Sequence, residues 1–460
     1  MRVAFILLIT GIGIAAAVFI NAFYGLLLYA FYAFASPLEL TWGALEGSRL
    51  SFVVAALVII TALMQKQKII FKHSIVFLSI TFLFFCYISL AVKENIAPFY
   101  WDQLYLLARV ITMALVASAM IDDARKLRLY ILAIAVFIGF LGAYYGIFGL
   151  FAGSTDITGP GRIGDNNGFS AWLVTALPFI YYSGLQLKKK SWRILSKIIF
   201  IGNIIAIMLT FSRGGFVALV VVLALLFFTI KRNIIIFALI AACLFIFLLP
   251  SVDYSYKEEP LGKEEVEQMD VVDKTAYQYQ ERIKTLRKPK KEISSAVSRI
   301  HCWRIAIDMA EANQLFGVGF ARYKAEYDNY DTSHGEYGPK RAVHNTILSV
   351  LAETGYLGFS VFIFLVFICW ITIIKAKRKV MQISDIQLRK EFLSYTKMLN
   401  ISLIAYFLAG SFVNTLFQEI FWAIITVSIV MDKISQMMLE GPSRKAKDTI
   451  DGLSQFLFGR

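Results

Sequence analysis

Apolar runs of about twenty residues recur along almost the whole chain, separated by short charged or turn-forming segments. A run of that length crosses the hydrocarbon core as a helix. The runs are continuous, without alternation of apolar and polar positions, so a membrane β-barrel is excluded. Candidate spans cover residues 3–35, 49–65, 71–92, 103–120, 127–150, 168–186, 193–210, 214–230, 233–250, 345–374, 398–413 and 416–433. The pattern predicts an all-α, polytopic helical membrane protein with about twelve transmembrane helices. The first run is longer than a bilayer is thick. Read as one tilted crossing, it places Arg2 in the cytoplasm; two short helices are the alternative.

One stretch breaks the pattern. Residues 251–343 are charged, and the apolar pattern resumes only at His344-Asn345. The chain therefore divides into helices one to nine over residues 1–250, a helical extramembrane loop over 251–343, C-terminal helices over 344–435, and a tail over 436–460. No internal repeat is evident, so an inverted-repeat transporter has no direct support.

Charge sets the orientation. Short basic loops fall at Lys66/Lys68/Lys72, Arg125/Lys126/Arg128, Lys188/Lys189/Lys190, Lys231/Arg232 and Lys375/Lys377/Arg378/Lys379. They recur at every second boundary, as cytoplasmic loops should. Arg444, Lys445 and Lys447 then place the C-terminal tail inside, so both termini are expected in the cytoplasm. Segments 93–102, 151–167, Ser212-Arg213, 251–343 and 414–419 face outward. The net charge of +14 reflects these loops and not a nucleic-acid partner. Composition agrees: 58% of residues are hydrophobic and 17% charged, against about a quarter charged in soluble domains. Cys86, Cys243, Cys302 and Cys369 show no metal-ligand spacing and read as packing residues.

The outward face gathers arginines, which are costly near lipid and usually functional. Arg213 lies in the turn Phe211-Ser212-Arg213-Gly214-Gly215; it either snorkels or meets a ligand. Arg162 sits in the glycine- and Asx-rich segment 159–167, where Asn166 or Asn167 is a candidate helix cap and binding is the alternative. Arg109, within its span, shares a face with Asp102; an ion pair and a ligand contact both fit. In residues 298–310 an amphipathic helix is expected. Ile300, Trp303, Ile307 and Ala310 form its apolar stripe, and His301, Arg304, Asp308 and Glu311 its polar side. Arg299, beside Trp303, then points to the membrane mouth. His344 opens a span and titrates near neutral pH, as a general base should. Glu353 follows nine residues later, on another face, so a simple His–Glu dyad is not expected.

Outward arginines suit a lipid-linked diphosphate held by charge-assisted bonds, with His344 taking a proton from an attacking hydroxyl. No acidic cluster suggests a metal site or cofactor. Composition and topology do not choose between this chemistry and anion transport.

Residues 298–358 resemble the O-antigen ligase and O-antigen polymerase superfamily. The resemblance rests on Arg299 with Trp303 and Ala306, Phe316-Gly317-Val318-Gly319-Phe320, His344-Asn345, and Leu351-Ala352-Glu353-Thr354-Gly355-Tyr356-Leu357-Gly358. Ser212-Arg213-Gly214-Gly215 is similar to its short arginine turn. Ser36-Pro37, Thr41-Trp42-Gly43 and Asp165-Asn166-Asn167 look closest to exosortase-associated O-glycosylation ligases. The resemblance implies a metal-independent glycosyltransferase without cofactors, in the bacterial inner membrane and facing the periplasm. It would move a glycan from undecaprenyl diphosphate to a hydroxyl of lipid A core, protein or polysaccharide. It assigns His344 as base and Arg213 and Arg299, then Arg162 and Arg109, to the diphosphate. Asp165, Asn166, Asn345 and Glu353 are left as acceptor-contacting or structural residues. A polymerase using a second lipid-linked glycan, or a polysaccharide or lipid transporter, are the alternatives.

Overall fold

A computed structural model describes residues 2–38, 41, 45, 48–65, 73–152, 157–229 and 293–440. The expected span 233–250, the loop as far as residue 292 and the tail from 441 lie outside these residues, as do Trp42 and Gly43. Nine apolar helices come first: α1 (Arg2–Phe19), α2 (Ala22–Ala35), α3 (Leu50–Met64), α4 (Ser74–Ala91), α5 (Pro98–Met120), α6 (Ala124–Phe151), α7 (Asn166–Leu185), α8 (Lys190–Leu209) and α9 (Arg213–Thr229). Two helices outside the bundle follow, α10 (Ile293–Ala312) and α11 (Tyr323–Tyr330). The last three bundle helices are α12 (Thr346–Val380), α13 (Ile386–Gly410) and α14 (Glu419–Glu440). Among the described residues, seven helices are long and apolar enough to cross a membrane, and α2, α3, α9 and most of α1 are shorter apolar helices. The chain is an all-helical, polytopic membrane protein.

The first run is not one crossing. It breaks at Asn21, whose side chain caps α2 by accepting from Phe23 N at 2.9 Å. The helices then double back: Thr10 Oγ1 meets Tyr32 OH at 2.6 Å. Gln65 Oε1, at the end of α3, accepts from Ala22 N at 3.1 Å. The break therefore lies beside the end of α3, and α1 begins at the opposite end of the bundle. This corrects the placement of Arg2 with the basic loops. The polar cap at Asn21, inside an apolar run, permits the reversal.

Helix ends collect at two poles. At the basic pole Arg128 makes a two-bond pair with Glu391, at 2.6 Å each. Lys379 meets Asp432 at 2.8 Å there. Between the poles the core is aromatic, with Tyr406 stacked on Phe421 at 4.4 Å and Trp172 and Trp422 buried. Cys86, Cys302 and Cys369 are free and buried.

The other pole carries the extramembrane helices. α12 is broken at Gly355, whose φ of 64° and ψ of −172° are not helical. The break frees the carbonyls of Ala352 and Glu353, which accept from Val318 N at 2.9 Å and Gly319 N at 3.2 Å. Tyr356 N, freed likewise, donates to Gln314 O at 2.8 Å. The backbones touch here. A Cβ on Gly317 would lie 2.4 Å from Ala352 O, and one on Gly355 would lie 2.6 Å from Gly317 N. Both residues also have positive φ, which glycine alone adopts without strain.

α10 packs on this junction with a face the sequence pattern did not suggest. Cys302, Ile305, Ala306 and Met309 are buried against Val318, Tyr323, Tyr327 and Ala352. Ile300 and Ile307, expected in the apolar stripe, are exposed. The helix takes its small and sulfur-bearing side inward because the broken α12 offers backbone to pack against. His301 is not on a solvated face: its Nε2 lies 2.7 Å from Asp331 Oδ1. Arg304 is exposed, as expected.

Two outcomes check this architecture. In a background without the four native cysteines, Ile20→Cys should label from the same membrane side as Gln65→Cys and from the side opposite Ser411→Cys. Gly317→Ala and Gly355→Ala should each lower the thermal midpoint of the detergent-solubilised protein, at a cost of about 1–3 kcal/mol from overpacking. Exposed Gly335→Ala, with open space around its Cβ but the same positive φ, should cost less.

Candidate active site

Three turns and the head of α12 meet at the pole opposite the basic loops. The α6–α7 connection ends in a tight 3₁₀ turn over Gly161–Ile163. Asp165 then caps α7 by accepting from Gly168 N at 2.8 Å. Asn166 and Asn167, expected as alternative caps, brace the neighbouring turn instead. Asn166 Nδ2 donates to Thr210 O at 3.1 Å, and Ser212 Oγ donates to Asn167 Oδ1 at 2.8 Å. Ser212 Oγ also accepts from Gly215 N at 3.1 Å and so caps α9. Phe211 has φ of 51°, which turns the chain sharply enough for α9 to open at once on Arg213.

The α13–α14 turn closes the third side. Thr346 Oγ1 donates to Val413 O at 3.0 Å and accepts from Thr415 N at 3.0 Å. Gln418 Nε2 donates to Gly168 O at 2.9 Å, linking this turn to the head of α7. Asn345 caps α12 through Leu348 N at 3.1 Å. His344 directly precedes the cap, with φ of 49° in the left-handed region. A non-glycine residue held there is sparsely populated and found where the surroundings determine it.

Those surroundings include α10. Trp303 Nε1 donates to Val343 O at 3.1 Å, and Arg341 Nη2 donates to Ser298 Oγ at 2.9 Å. Residues 341–344 thus lie along the helix that carries Arg299. The electrostatics follow. Burial pushes the His344 imidazole below its ordinary value; Arg299 adds to this, Asp165 opposes it and Arg341 adds a further share. Arg299 is lowered by burial, then by Arg213, with Asp165 opposing and Arg341 adding. A guanidinium keeps its proton regardless. The group that yields is His344, which is held neutral at pH 7.

Of the residues singled out in the sequence, the structure brings Arg213, Arg299, His344 and Asp165 together. Asn166 and Asn345 serve the backbone at the cluster's edge. Glu353 is directed elsewhere: its Oε1 accepts from Tyr323 N at 3.4 Å, and the helix break comes after it, so it does not swing toward His344. Only the backbone of Arg162 is described. Arg109 lies apart, over the ring of Tyr105 with 5.3 Å between Cζ and the centroid. Its expected partner Asp102 is exposed and makes no ion pair with it. Arg341 was missed by the sequence reading. In Lys340-Arg341-Ala342-Val343-His344 it passes for ordinary loop charge, and its only signal is the short spacing to the histidine.

Residues 198–363 match the family model described as O-Antigen ligase. No curated protein matches the chain. The matched stretch begins in α8, ends in α12 and contains Arg213, Arg299, Arg341 and His344. Over that stretch the chain is similar to O-antigen ligases, membrane proteins of ligase or polymerase type that transfer glycosyl groups. The match is to the superfamily and does not single out the exosortase-associated ligases.

The bracing of Arg213 is testable by a double-mutant cycle. Asn167→Ala and Ser212→Ala should each lower the thermal midpoint. The double variant should cost less than the two together, with a coupling of about 1 kcal/mol for the shared hydrogen bond. Full additivity would show that the bond does not brace the turn.

Proposed function

We propose that this protein transfers a glycan from undecaprenyl diphosphate to an acceptor hydroxyl at the periplasmic face of the bacterial inner membrane. The observation that carries the reading is the meeting of Arg213, Arg299 and Arg341 with His344 at one end of the bundle. The described basic loops, at residues 125–128, 188–190 and 375–379, lie at the opposite pole, which the positive-inside rule assigns to the cytoplasm.

The chemistry follows from the charges. His344, held neutral, accepts the proton of the attacking hydroxyl. The hydroxyl oxygen bonds to the anomeric carbon as the bond from that carbon to the diphosphate oxygen breaks. The electron pair leaves with the diphosphate. Negative charge grows on the leaving group, and fixed guanidiniums stabilise it most where water is excluded. Asp165 limits the repulsion among the arginines while no substrate is bound. The acceptor is lipid A core, a protein or another polysaccharide. A polymerase would use the same chemistry with a second lipid-linked glycan.

Reconstitution with a labelled undecaprenyl-diphosphate glycan tests the assignment. His344→Ala should reduce transfer at least about a hundredfold, the scale of a lost general base. Arg213→Ala and Arg299→Ala should reduce it comparably. Equal transfer by wild type and all three variants would remove the site from consideration. Movement of the lipid across the bilayer without transfer would favour a transporter.

The pH profile gives a separate check. Arg299 lowers His344, so Arg299→Gln raises it and protonates the base at higher pH. The acid limb of kcat/KM, which reports the free enzyme, should move to higher pH in Arg299→Gln. A limb that stays in place would show that His344 is not the titrating base.

A further inference from the structure

Beside the diphosphate site, but separate from it, α2, α3 and α5 enclose a cavity of about 400 Å³. That lies within the range of about 300–1,000 Å³ typical of small-molecule sites. Its lining includes Tyr29, Tyr32, Ser48, Ser51, Arg109 and Glu419. Two of these residues are hard to explain by packing. Arg109 lies eleven residues past Pro98, the start of α5, or about 16 Å along the helix. A cation within an apolar helix marks a functional site unless it is paired. Among the described residues it has no ion pair or hydrogen bond, only the ring of Tyr105. Ser48 Oγ is buried with no hydrogen-bond partner among the described residues. Ser48 Oγ thus lacks the partner that a buried polar atom requires, and the half-buried guanidinium of Arg109 has donors left to offer.

The lining also says what that partner is. Arg109 and Glu419 put opposite charges in the lining, so the cavity does not favour a second phosphate. Leu38, Leu45, Phe52, Val110 and Met113 also line it, but an acyl chain would leave Ser48 Oγ without a partner. Serine hydroxyls both donate and accept, the guanidinium only donates and the carboxylate only accepts. A polyhydroxyl ring satisfies the serines and the guanidinium and lays its C–H face on tyrosine.

The cavity's position links it to the transfer site. Ile163 is part of the lining, and Asp165, two residues on, acts on both His344 and Arg299. Two residues span at most about 7 Å of chain. The Gly161–Asp165 turn is therefore the partition between cavity and diphosphate cluster. We infer that this cavity is a saccharide subsite, holding sugar rings of a glycan whose reacting end lies across the turn at His344. This rests on the glycosyl-transfer reading, and it moves Arg109 from the diphosphate to the sugar.

The sugars belong either to the donor or to the acceptor, and binding to the full-length protein in detergent separates the two. One pair of probes is undecaprenyl diphosphate with and without an attached disaccharide. The other is lipid A with and without its core sugars. Wild type should bind the sugar-bearing member of one pair at least about tenfold more tightly. Arg109→Gln should abolish that advantage while changing affinity for bare undecaprenyl diphosphate less than about twofold. Ser51→Trp, which fills the cavity, should do the same, and its thermal midpoint reports whether it folds. Loss in the first pair assigns the subsite to the donor, and loss in the second to the acceptor. An advantage that survives in Arg109→Gln, or no advantage in wild type for either pair, overturns the proposal. Binding of the bare lipid to Arg213→Ala reads the diphosphate assignment separately. If that affinity is unchanged, the transfer reading fails while the sugar contrast still reports on the cavity.

Discussion

The break in α12 at Gly355 is the constraint on which the outer half of the molecule depends. A continuous helix would spend the carbonyls of Ala352 and Glu353 on its own next turn. Broken, it presents them to Val318 and Gly319, and Tyr356 N reaches Gln314. In a bilayer a stranded backbone group costs several kcal/mol. The break is stable because the segment 314–319 returns each of these bonds. Glycine at 317 and 355 is required because the backbones come too close for any Cβ. The extramembrane segment is thereby fastened to the bundle by main chain, which fixes register more tightly than apolar contact alone.

From that junction the geometry of the site follows. α10 buries Cys302, Ile305, Ala306 and Met309 against the broken helix, so its rotation is set. Rotation fixes where Trp303 meets Val343, and hence where the chain stands as it enters His344. Arg299, one turn before Trp303, is set by the same packing. Arg213 reaches the site from the membrane side, held by the Asn167–Ser212 bond. The arrangement is costly while empty, since three cations repel. On the proposed reading a doubly charged ligand relieves that cost.

Much of the architecture was legible in the sequence because membrane insertion makes hydropathy and loop charge strong signals. The helices and the gathering of Arg213, Arg299 and His344 at one pole were readable from spacing and loop charge. What was not readable has physical causes. The reversal at Asn21 turns on one polar cap inside an apolar run, which hydropathy averages away. The α10 stripe was read as Ile300, Trp303, Ile307 and Ala310, whereas packing on the broken α12 turns Cys302, Ile305, Ala306 and Met309 inward and leaves Ile300 and Ile307 exposed. Arg341 resembles any loop cation until the fold aligns it with Ser298. Arg109 was placed with the other arginines by the resemblance alone, since its own sequence context does not give which neighbours surround it.

The separation of Arg109 from the cluster bears on how such a site tells substrates apart. A diphosphate is common to every lipid carrier of this kind, so arginines around it supply charge stabilisation with little discrimination. Discrimination needs groups that are left unpaired by the wrong ligand. Ser48 Oγ, buried and unpartnered, and the guanidinium of Arg109 are groups of that kind. They lie on the far side of the Gly161–Asp165 turn, where the shape of a glycan and not its charge is presented. On the proposed reading the labour is divided: the guanidiniums around His344 stabilise the leaving group, and hydrogen-bonding demand in the neighbouring cavity selects which glycan is positioned for the bond change.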